Sequence, residues 1–258
     1  MSGQNIMLSA RDDHRGPGPV GFGLLQRFVL MMMVHLGLLG VLVTQVFGVV
    51  SVAGIVAPLV VYALTNVFVL RGLVRHYPHR RIGLCNYVTH LRATLIAGLA
   101  AILTLGPAVA VDAQLAWRVV AVAAFALTLD AVDGWAARSS GLSSGFGARF
   151  DMEIDSILAL ILMLIVLLTG KVGLWVILLG VMRYLFVMAM WIWPWIDRPT
   201  PPRYSGKIVC VVQIAVLIAM IAPVVSPPLA SLMAATALGL LIWSFGVDLR
   251  WLWQRRHA

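Results

Sequence analysis

The acidic side chains of this sequence are concentrated in one short stretch. The chain has nine Asp and one Glu, and five of these ten acids lie between Asp130 and Asp155. Asp130 and Asp133 have the i, i+3 spacing that places two side chains on one face of a helix, and Asp151 and Asp155 have the i, i+4 spacing. A short turn at 139–146 separates the two segments. The spacing therefore predicts two antiparallel neighbouring helices whose four Asp face one another.

Four carboxylates held together need a counter-charge. They repel one another, and each costs about 2.5–3.5 kcal/mol at the centre of a membrane-spanning helix, less near its ends. One or two divalent cations would offset this cost, and oxygen ligands suit Mg²⁺, Mn²⁺ or Ca²⁺. Two such ions also clamp phosphate oxygens during displacement reactions. The alternative is a structural ion-pair network with Arg138 and Arg149, which would leave several carboxylates unpaired. The helical count places Glu153 on a different face.

Small residues share the faces that carry the Asp residues. Gly134 and Ala137 follow Asp130 at i+4 and i+7, and Gly147 precedes Asp151 by four residues. Their size leaves space for a flat or extended ligand, for which a nucleotide is a candidate. Tight packing between membrane helices explains small residues equally well.

The composition is that of a membrane protein with several spans. Of the 258 residues, 61% are hydrophobic and 11% are charged, against about 25% charged residues in an ordinary soluble domain. Cys85, Cys210 and the six histidines show no disulfide framework or zinc-ligand spacing. The net charge of +9 fits the positive-inside rule and attraction to anionic headgroups or phosphorylated substrates. Because aromatic and basic residues are not interleaved, it does not indicate binding to nucleic acid.

Eight apolar stretches of about 20 residues predict an all-α, polytopic membrane helical bundle. The first two, 24–47 and 50–70, are joined by a charge-free turn and predict a transmembrane hairpin. The others lie between breaks rich in Gly, Pro or charge, at 87–107, 116–137, 147–169, 172–193, 208–225 and 229–250.

Lys and Arg are distributed unequally between the two sides of this topology. With the amino terminus in the cytoplasm, the inner side receives most of the basic residues: Arg11, Arg15, Arg71, Arg75, Arg80, Arg81, Arg138, Arg198, Arg203, Lys207, Arg255 and Arg256. The outer loops receive little beyond Arg118 and Lys171. The positive-inside rule therefore predicts that both termini and the Asp-rich segment face the cytoplasm of a plasma or inner membrane.

The acidic and small residues together match a known pattern. Asp130-x-x-Asp133-Gly134-x-x-Ala137-Arg138, followed after eight residues by Gly147-x-x-x-Asp151-x-x-x-Asp155, resembles the signature of the CDP-alcohol phosphotransferase (CDP-alcohol phosphatidyltransferase) family. All eight fixed positions and all spacings agree. From ordinary residue frequencies, a chance match is on the order of one in ten million per chain.

The resemblance implies a catalytic core of six spans with the signature on the second and third. Residues 76–252 would form this core. The rest of the chain would comprise a cytoplasmic segment at 1–23, the extra N-terminal hairpin at 24–75 and a basic cytoplasmic tail at 253–258.

The resemblance also implies roles for individual residues of the site. Two Mg²⁺ or Mn²⁺ ions would be bound by Asp130, Asp133 and Asp151, and Asp155 would act as a ligand, a general base, or both. The residues expected around the nucleotide are Gly134, Ala137, Arg138, Gly147, Asn86 and Thr89.

Basic residues are expected to hold phosphate groups or the acceptor. Asn86-x-x-Thr89-x-x-Arg92 is similar to the family's Asn-x-x-Thr-x-x-Arg segment. Several members of the family bind phosphate through basic residues in the regions of Arg183, Arg203 and Lys207. An arginine inside a predicted span, such as Arg183, is functional by default, whereas positive-inside topology explains Arg203 and Lys207 equally well.

The activity implied by the resemblance is transfer of a phosphatidyl group from CDP-diacylglycerol to an alcohol, with release of CMP. The partners would be the donor, the alcohol acceptor and membrane lipids, and many members of the family are homodimers. In an alternative reaction, a soluble CDP-alcohol such as CDP-choline or CDP-ethanolamine donates to diacylglycerol. A divalent-cation transporter is the alternative from another class, since acids inside a membrane also mark ion pathways. The acceptor is left open by the sequence.

Overall fold

Helices account for the regular secondary structure of the part of the chain that the structure describes. This computed structural model describes residues 22–76, 84–140, 145–193, 195 and 204–255, without the side chains at 22, 24–25, 72–76, 84–85, 133–140, 145–149 and 204. No strand occurs within these ranges. The all-helical fold predicted from the sequence is therefore confirmed.

The helices follow one another through short connections. Their bounds are α1 (Phe22–Val41), α2 (Val52–His76), α3 (Leu84–Leu99), α4 (Ala108–Val111), α5 (Ala113–Ser140), α6 (Gly145–Leu168), α7 (Ile177–Ile192), α8 (Tyr204–Ile221) and α9 (Pro227–Gln254). A π-helix, Leu42–Val46, continues α1, while 3-10 helices at Ala100–Leu105 and Leu174–Val176 continue α3 and precede α7. Each of the eight predicted apolar stretches overlaps one of the longer helices.

Many of these helices have the length and hydropathy of membrane spans. Among the described residues, six segments qualify: Gln26–Val46, Val52–Arg71, Asn86–Leu105, Ala113–Val132, Leu174–Ile192 and Pro227–Gln254. They identify an integral membrane protein. The apolar part of α8, Ser205–Ile221, is shorter, and α6 carries several charged residues in its first turns. The count of eight spans, with a separate N-terminal hairpin, therefore stays a prediction.

Turn residues separate the helices where the apolar stretches break. Gly106 and Gly170 have φ values of +57° and +66°, in the left-handed region that favours glycine. Asp112 begins α5, since its Oδ1 accepts hydrogen bonds from the backbone N–H groups of Gln114 at 2.9 Å and Leu115 at 3.0 Å. This contact satisfies donors that the first turn of a helix leaves without partners.

Lys171, in the loop after α6, stabilises the end of α8. Its Nζ donates hydrogen bonds to the carbonyl oxygens of Met220 at 3.0 Å and Ala222 at 2.6 Å. A cation is favourable there, because the last carbonyls of a helix have no partners within the helix. Burial lowers the pKa of the Lys171 ammonium from its ordinary value. The contact joins α6 and α8 at the ends opposite to their polar first turns.

The central helix of the bundle is α3. Its candidate span is 72% buried within the protein, whereas the other five candidate spans are 17–33% buried. It packs against α1, α2, α5 and α6, and Ile96, Ala97 and Leu99 are buried almost completely. A side chain on α3 can therefore contact either the amino-terminal helices or the Asp-bearing helices, according to the face on which it lies.

Among the described residues, the two Asp-bearing helices make few direct contacts with each other and are joined mainly through neighbouring helices. The sequence predicts α5 and α6 as a neighbouring antiparallel pair. In the described part of the chain, α3 and α8 each pack against both α5 and α6. The site is thus built from four helices: α3, α5, α6 and α8. Carboxylates that lie close together need a counter-charge, and α3 supplies a basic side chain for it.

Candidate active site

Three carboxylates from two helices converge in this four-helix arrangement. Asp130 lies on α5, and Asp151 and Asp155 lie one turn apart on α6. Each offers one carboxylate oxygen, and these three oxygens lie within 4.8 Å of one another. The other Asp of the predicted set, Asp133, lies one turn after Asp130 on the backbone of α5, and its side chain is outside the described part of the structure.

A buried arginine lies among these carboxylates. Arg92 is on α3 and is 0% exposed. Its Nη1 is 2.9 Å from Asp130 Oδ1 and 2.5 Å from Asp151 Oδ1, and its Nη2 contacts Asp155 Oδ1. The planar guanidinium can contact several carboxylates at once, which the ammonium of a lysine does less well. Arg92 therefore holds the two Asp-bearing helices in register with α3.

The arginine does not neutralise the cluster. Among the described side chains, one guanidinium contacts three carboxylates, so these ion pairs alone do not balance the charge of Asp130, Asp151 and Asp155. Their side chains remain 24%, 38% and 29% exposed, while Arg92 is enclosed. The exposed part of the cluster is composed of hard oxygen donors, which suit Mg²⁺ or Mn²⁺. The donor chemistry and the residual charge thus fit a divalent cation.

The sequence also allowed an ion-pair network between the Asp residues and nearby arginines. Such ion pairs are present, but the arginine is not one of the two considered from the sequence. The network involves Arg92, whereas the side chains of Arg138 and Arg149 lie outside the described part of the structure. The resemblance assigns Arg92 to phosphate or acceptor binding, and the structure places it directly against the predicted metal ligands. Its spacing from Asn86 gave no sign of this contact. An arginine in an apolar span does signal that a carboxylate partner must lie nearby, and that signal was available.

Lys207 provides a cation on the exposed side of the site. It lies in the first turn of α8, which packs against both Asp-bearing helices. Its side chain is exposed and close enough to Asp130 to interact electrostatically. This location is compatible with contact to an anionic group bound at the cluster. Arg203, four residues earlier, lies outside the described residues.

Arg183 has a carboxylate partner of its own. Its Nη2 lies 2.5 Å from Oε1 of Glu153 on α6. Glu153 points away from the Asp cluster, as its helical phase indicates, although Asp151 and Asp155 are each only two residues away. Half-buried Arg183 therefore joins α7 to α6 beside the cluster. A role in binding phosphate stays a prediction for this residue.

The residues predicted around the nucleotide lie on three of the four helices that form the site. On α3, Asn86 is half-buried and Thr89 is buried, and both lie at three-residue intervals before Arg92. The remaining predicted residues belong to the helical backbone, and their side chains are outside the described part of the structure: Gly134, Ala137 and Arg138 on α5, and Gly147 on α6.

Residues 82–243 match the family model for CDP-alcohol phosphatidyltransferase, which covers more than half of the chain. The chain belongs to the CDP-alcohol phosphatidyltransferase family. Membership implies phosphatidyl transfer in phospholipid synthesis, and it favours an enzyme over a cation transporter. The match begins just before α3 and ends within α9, so that α1 and α2 lie outside it. No curated protein and no solved structure matches the chain significantly.

Proposed function

We propose that this member of the CDP-alcohol phosphatidyltransferase family transfers a phosphatidyl group from CDP-diacylglycerol to an alcohol and releases CMP. The observation that carries the proposal is the cluster of Asp130, Asp151 and Asp155, which remains partly exposed and keeps excess negative charge despite Arg92. A cluster of this kind suits the binding of a cation together with a diphosphate. Its place among membrane helices suits a donor whose acyl chains stay in the bilayer.

The carboxylates would hold one or two divalent cations. Asp130, Asp151 and Asp155 are the candidate ligands, and Asp133 is the fourth expected from the sequence. When bound, Mg²⁺ or Mn²⁺ would polarise the phosphoryl oxygens of the donor and neutralise charge on the departing phosphate.

Asp155 would accept the proton of the acceptor hydroxyl. As that proton moves to the carboxylate, the acceptor oxygen forms a bond to the phosphorus that carries diacylglycerol. The bond between this phosphorus and the oxygen of the cytidine-linked phosphate breaks, and CMP leaves with the bonding electrons. Arg92 would keep Asp155 in place during this step, since it holds the carboxylate through Oδ1.

Basic residues around the cluster would bind the remaining phosphate oxygens. Lys207 is exposed on α8 near Asp130. Arg183, on α7, lies beside α6, where it pairs with Glu153. Arg138 and Arg203 are further candidates from the sequence. Their distribution, with cytoplasmic termini, would place the reaction at the cytoplasmic face of the membrane. A homodimer is proposed only by analogy with the family.

The test is turnover by the purified full-length protein with Mg²⁺ or Mn²⁺. CDP-diacylglycerol would be supplied with a panel of alcohols that includes glycerol phosphate, serine and inositol phosphate, and lipid products would be identified by mass. We expect one acceptor to yield a new phospholipid with equimolar CMP. If CDP-choline or CDP-ethanolamine reacted with diacylglycerol and CDP-diacylglycerol did not, the donor assignment would be wrong.

A further inference from the structure

A hydrogen-bonded chain of polar side chains joins α1, α2 and α3 inside the bundle. His90 on α3 is 3% exposed. Its Nδ1 lies 2.6 Å from Nδ1 of His35 on α1, and its Nε2 lies 2.8 Å from Oδ1 of Asn66 on α2. All three residues lie in segments apolar enough to span a membrane. Such bonds resist separation, because lipid offers no substitute for them.

The direction of each hydrogen bond follows from the amide of Asn66. Its Nδ2 donates to the carbonyl oxygen of Tyr62 at 2.8 Å, so Oδ1 is the acceptor that faces His90. His90 Nε2 therefore carries a proton and donates to Asn66. In the neutral ring, Nδ1 of His90 is then the acceptor, and Nδ1 of His35 donates to it. Hydrogen bonds are thus donated from His35 on α1 to His90 on α3, and from His90 to Asn66 on α2.

Aromatic contacts enclose the same histidine. The rings of His35 and His90 are nearly parallel, 18° apart, with centroids 4.7 Å apart, and they meet edge to edge through the two Nδ1 atoms. The rings of Phe28 and Tyr62 meet His90 edge-on at 6.1 and 5.9 Å. Tyr62 also donates a hydrogen bond from its hydroxyl to the carbonyl oxygen of Met32 at 2.7 Å. His90 is therefore held in position by both amino-terminal helices.

The hydrogen-bonded residues His35, His90 and Asn66 meet on the face of α3 opposite to the Asp cluster. His90 and Arg92 are two residues apart, which corresponds to about 200° of rotation around a helix. One face of this turn contacts α1 and α2 through His90, while the other presents Arg92 to Asp130, Asp151 and Asp155. Any rotation of α3 that breaks the bonds of His90 also moves the Arg92 guanidinium.

We propose that α1 and α2, which precede the region matched by the family model, form a positioning element of the active site. The chain His35–His90–Asn66 sets the rotation of α3 and thereby keeps the Arg92 guanidinium between the carboxylates. His90 is a positioning residue that acts through Arg92 and does not touch substrate. The effect on turnover rests on the proposed function, whereas the effect on the Arg92 guanidinium does not.

The functional test compares two substitutions of His90 with a matched control. His90→Phe keeps a ring but removes both hydrogen bonds, and His90→Gln can both donate and accept near the same positions. We expect His90→Phe to lower kcat by on the order of 100-fold with KM for the donor nearly unchanged, as for a small misplacement of catalytic groups. His90→Gln should recover most of kcat. Thr94→Val removes a buried hydroxyl whose hydrogen bond in the described part of the chain stays within α3, to the carbonyl of His90 at 2.9 Å, and should leave kcat within about twofold.

The structural test uses ¹⁵N NMR of the full-length protein labelled at histidine and arginine. We expect a protonated Nε2 and an unprotonated Nδ1 for His90, and His35→Phe should shift the Nη signals of Arg92, assigned with Arg92→Lys. His35 is only half-buried, so this variant keeps the test available if His90→Phe does not fold. Unchanged Arg92 signals in His35→Phe would overturn the proposal, as would equal losses of kcat in His90→Phe and His90→Gln. Absence of turnover in the wild-type protein would refute the proposed function and leave the spectral test intact.

Discussion

At the scale of single residues, the site is defined by an imbalance of charge. Arg92 binds three carboxylates, so each is held in place, yet among the described side chains the carboxylates outnumber this cation. A site that needed only structural neutrality would pair its acids more evenly, as Glu153 pairs with Arg183. The partial exposure of the carboxylates adds the access that a substrate requires.

Replacing the proposed base should remove activity without unfolding the protein. Asp155→Asn keeps the size of the side chain but loses the negative charge that the proposed proton transfer and metal binding need. We expect CMP release to fall by about 10²–10⁴-fold. Asp112→Asn, which preserves the oxygen that caps the start of α5 away from the Asp cluster, should retain wild-type turnover. Full activity of Asp155→Asn with the identified acceptor would exclude its role as base.

Removal of divalent cations should stop turnover reversibly. Excess EDTA withdraws the ions that the carboxylates would hold, so the donor phosphate would lose its principal counter-charge. CMP release should cease and return on addition of Mg²⁺ or Mn²⁺. Continued release of CMP in excess chelator would contradict the metal assignment.

Loss of Arg92 should be costly for stability as well as for activity. Arg92→Ala leaves three carboxylates without their buried partner, which by comparison with other broken buried ion pairs costs about 3–5 kcal/mol. The free energy of unfolding in mixed detergent micelles would measure the loss. Arg118→Ala removes only an exposed hydrogen bond of 3.1 Å to the carbonyl of Val46 and should have a far smaller effect. Equal destabilisation by the two substitutions would show that the ion pairs of Arg92 add no more stability than an exposed hydrogen bond.

At the scale of helices, α3 is the element on which the site depends. It is the most buried of the candidate spans, and it carries His90 toward the amino-terminal helices and Arg92 toward the Asp-bearing helices. Gly98 lies where α3 approaches Leu42, the first residue of the π-helix that continues α1. A Cβ built on Gly98 would lie 2.3 Å from Leu42 Cδ2 and 3.1 Å from Leu42 Cγ.

Enlarging Gly98 should loosen the packing of α1 against α3. Gly98→Leu forces Leu42 and the π-helix aside, and overpacking of this kind costs about 1–3 kcal/mol. Gly37→Leu on α1 is the matched control, because a Cβ there meets nothing within 4 Å. Thermal unfolding in detergent should show a lower Tm for Gly98→Leu alone. A similar Tm for both variants would mean that α1 does not pack closely at this position.

At the scale of the whole molecule, the ends of the helices differ in chemical character. The Asp cluster and Lys207 lie toward one end of α6 and α8, whereas Gly170 and Lys171 lie at the opposite end, where Lys171 stabilises the last carbonyls of α8. Together with the distribution of Arg and Lys in the sequence, this polarity predicts a cytoplasmic active site.

Cysteine labelling should reveal that orientation. In a chain with Cys85 and Cys210 replaced by serine, Gly173→Cys should react with a membrane-impermeant maleimide in intact cells. Arg71→Cys should react only after permeabilisation, because the positive-inside rule places it in the cytoplasm. The reverse pattern would invert the topology and the proposed side of the reaction.

The sequence alone determined the helices and the family. Apolar stretches of the right length predicted where helices lie, and the periodic spacing of Asp130, Asp133, Asp151 and Asp155 predicted which residues share a helix face, because both are local properties of a helix. The match to the family model covers residues 82–243, which include these four Asp residues. These features describe the CDP-binding half of the reaction and leave the acceptor open.

Only the tertiary structure decided which helix faces meet. Arg92 contacts carboxylates 59 and 63 residues further along the chain, and His35 and His90 are 55 residues apart. Helical spacing gives the direction of a side chain around its own axis, but the partner across an interface depends on how the helices pack. For that reason the sequence predicted the acids of the site, and the structure was needed to place a buried arginine among them and two histidines behind it.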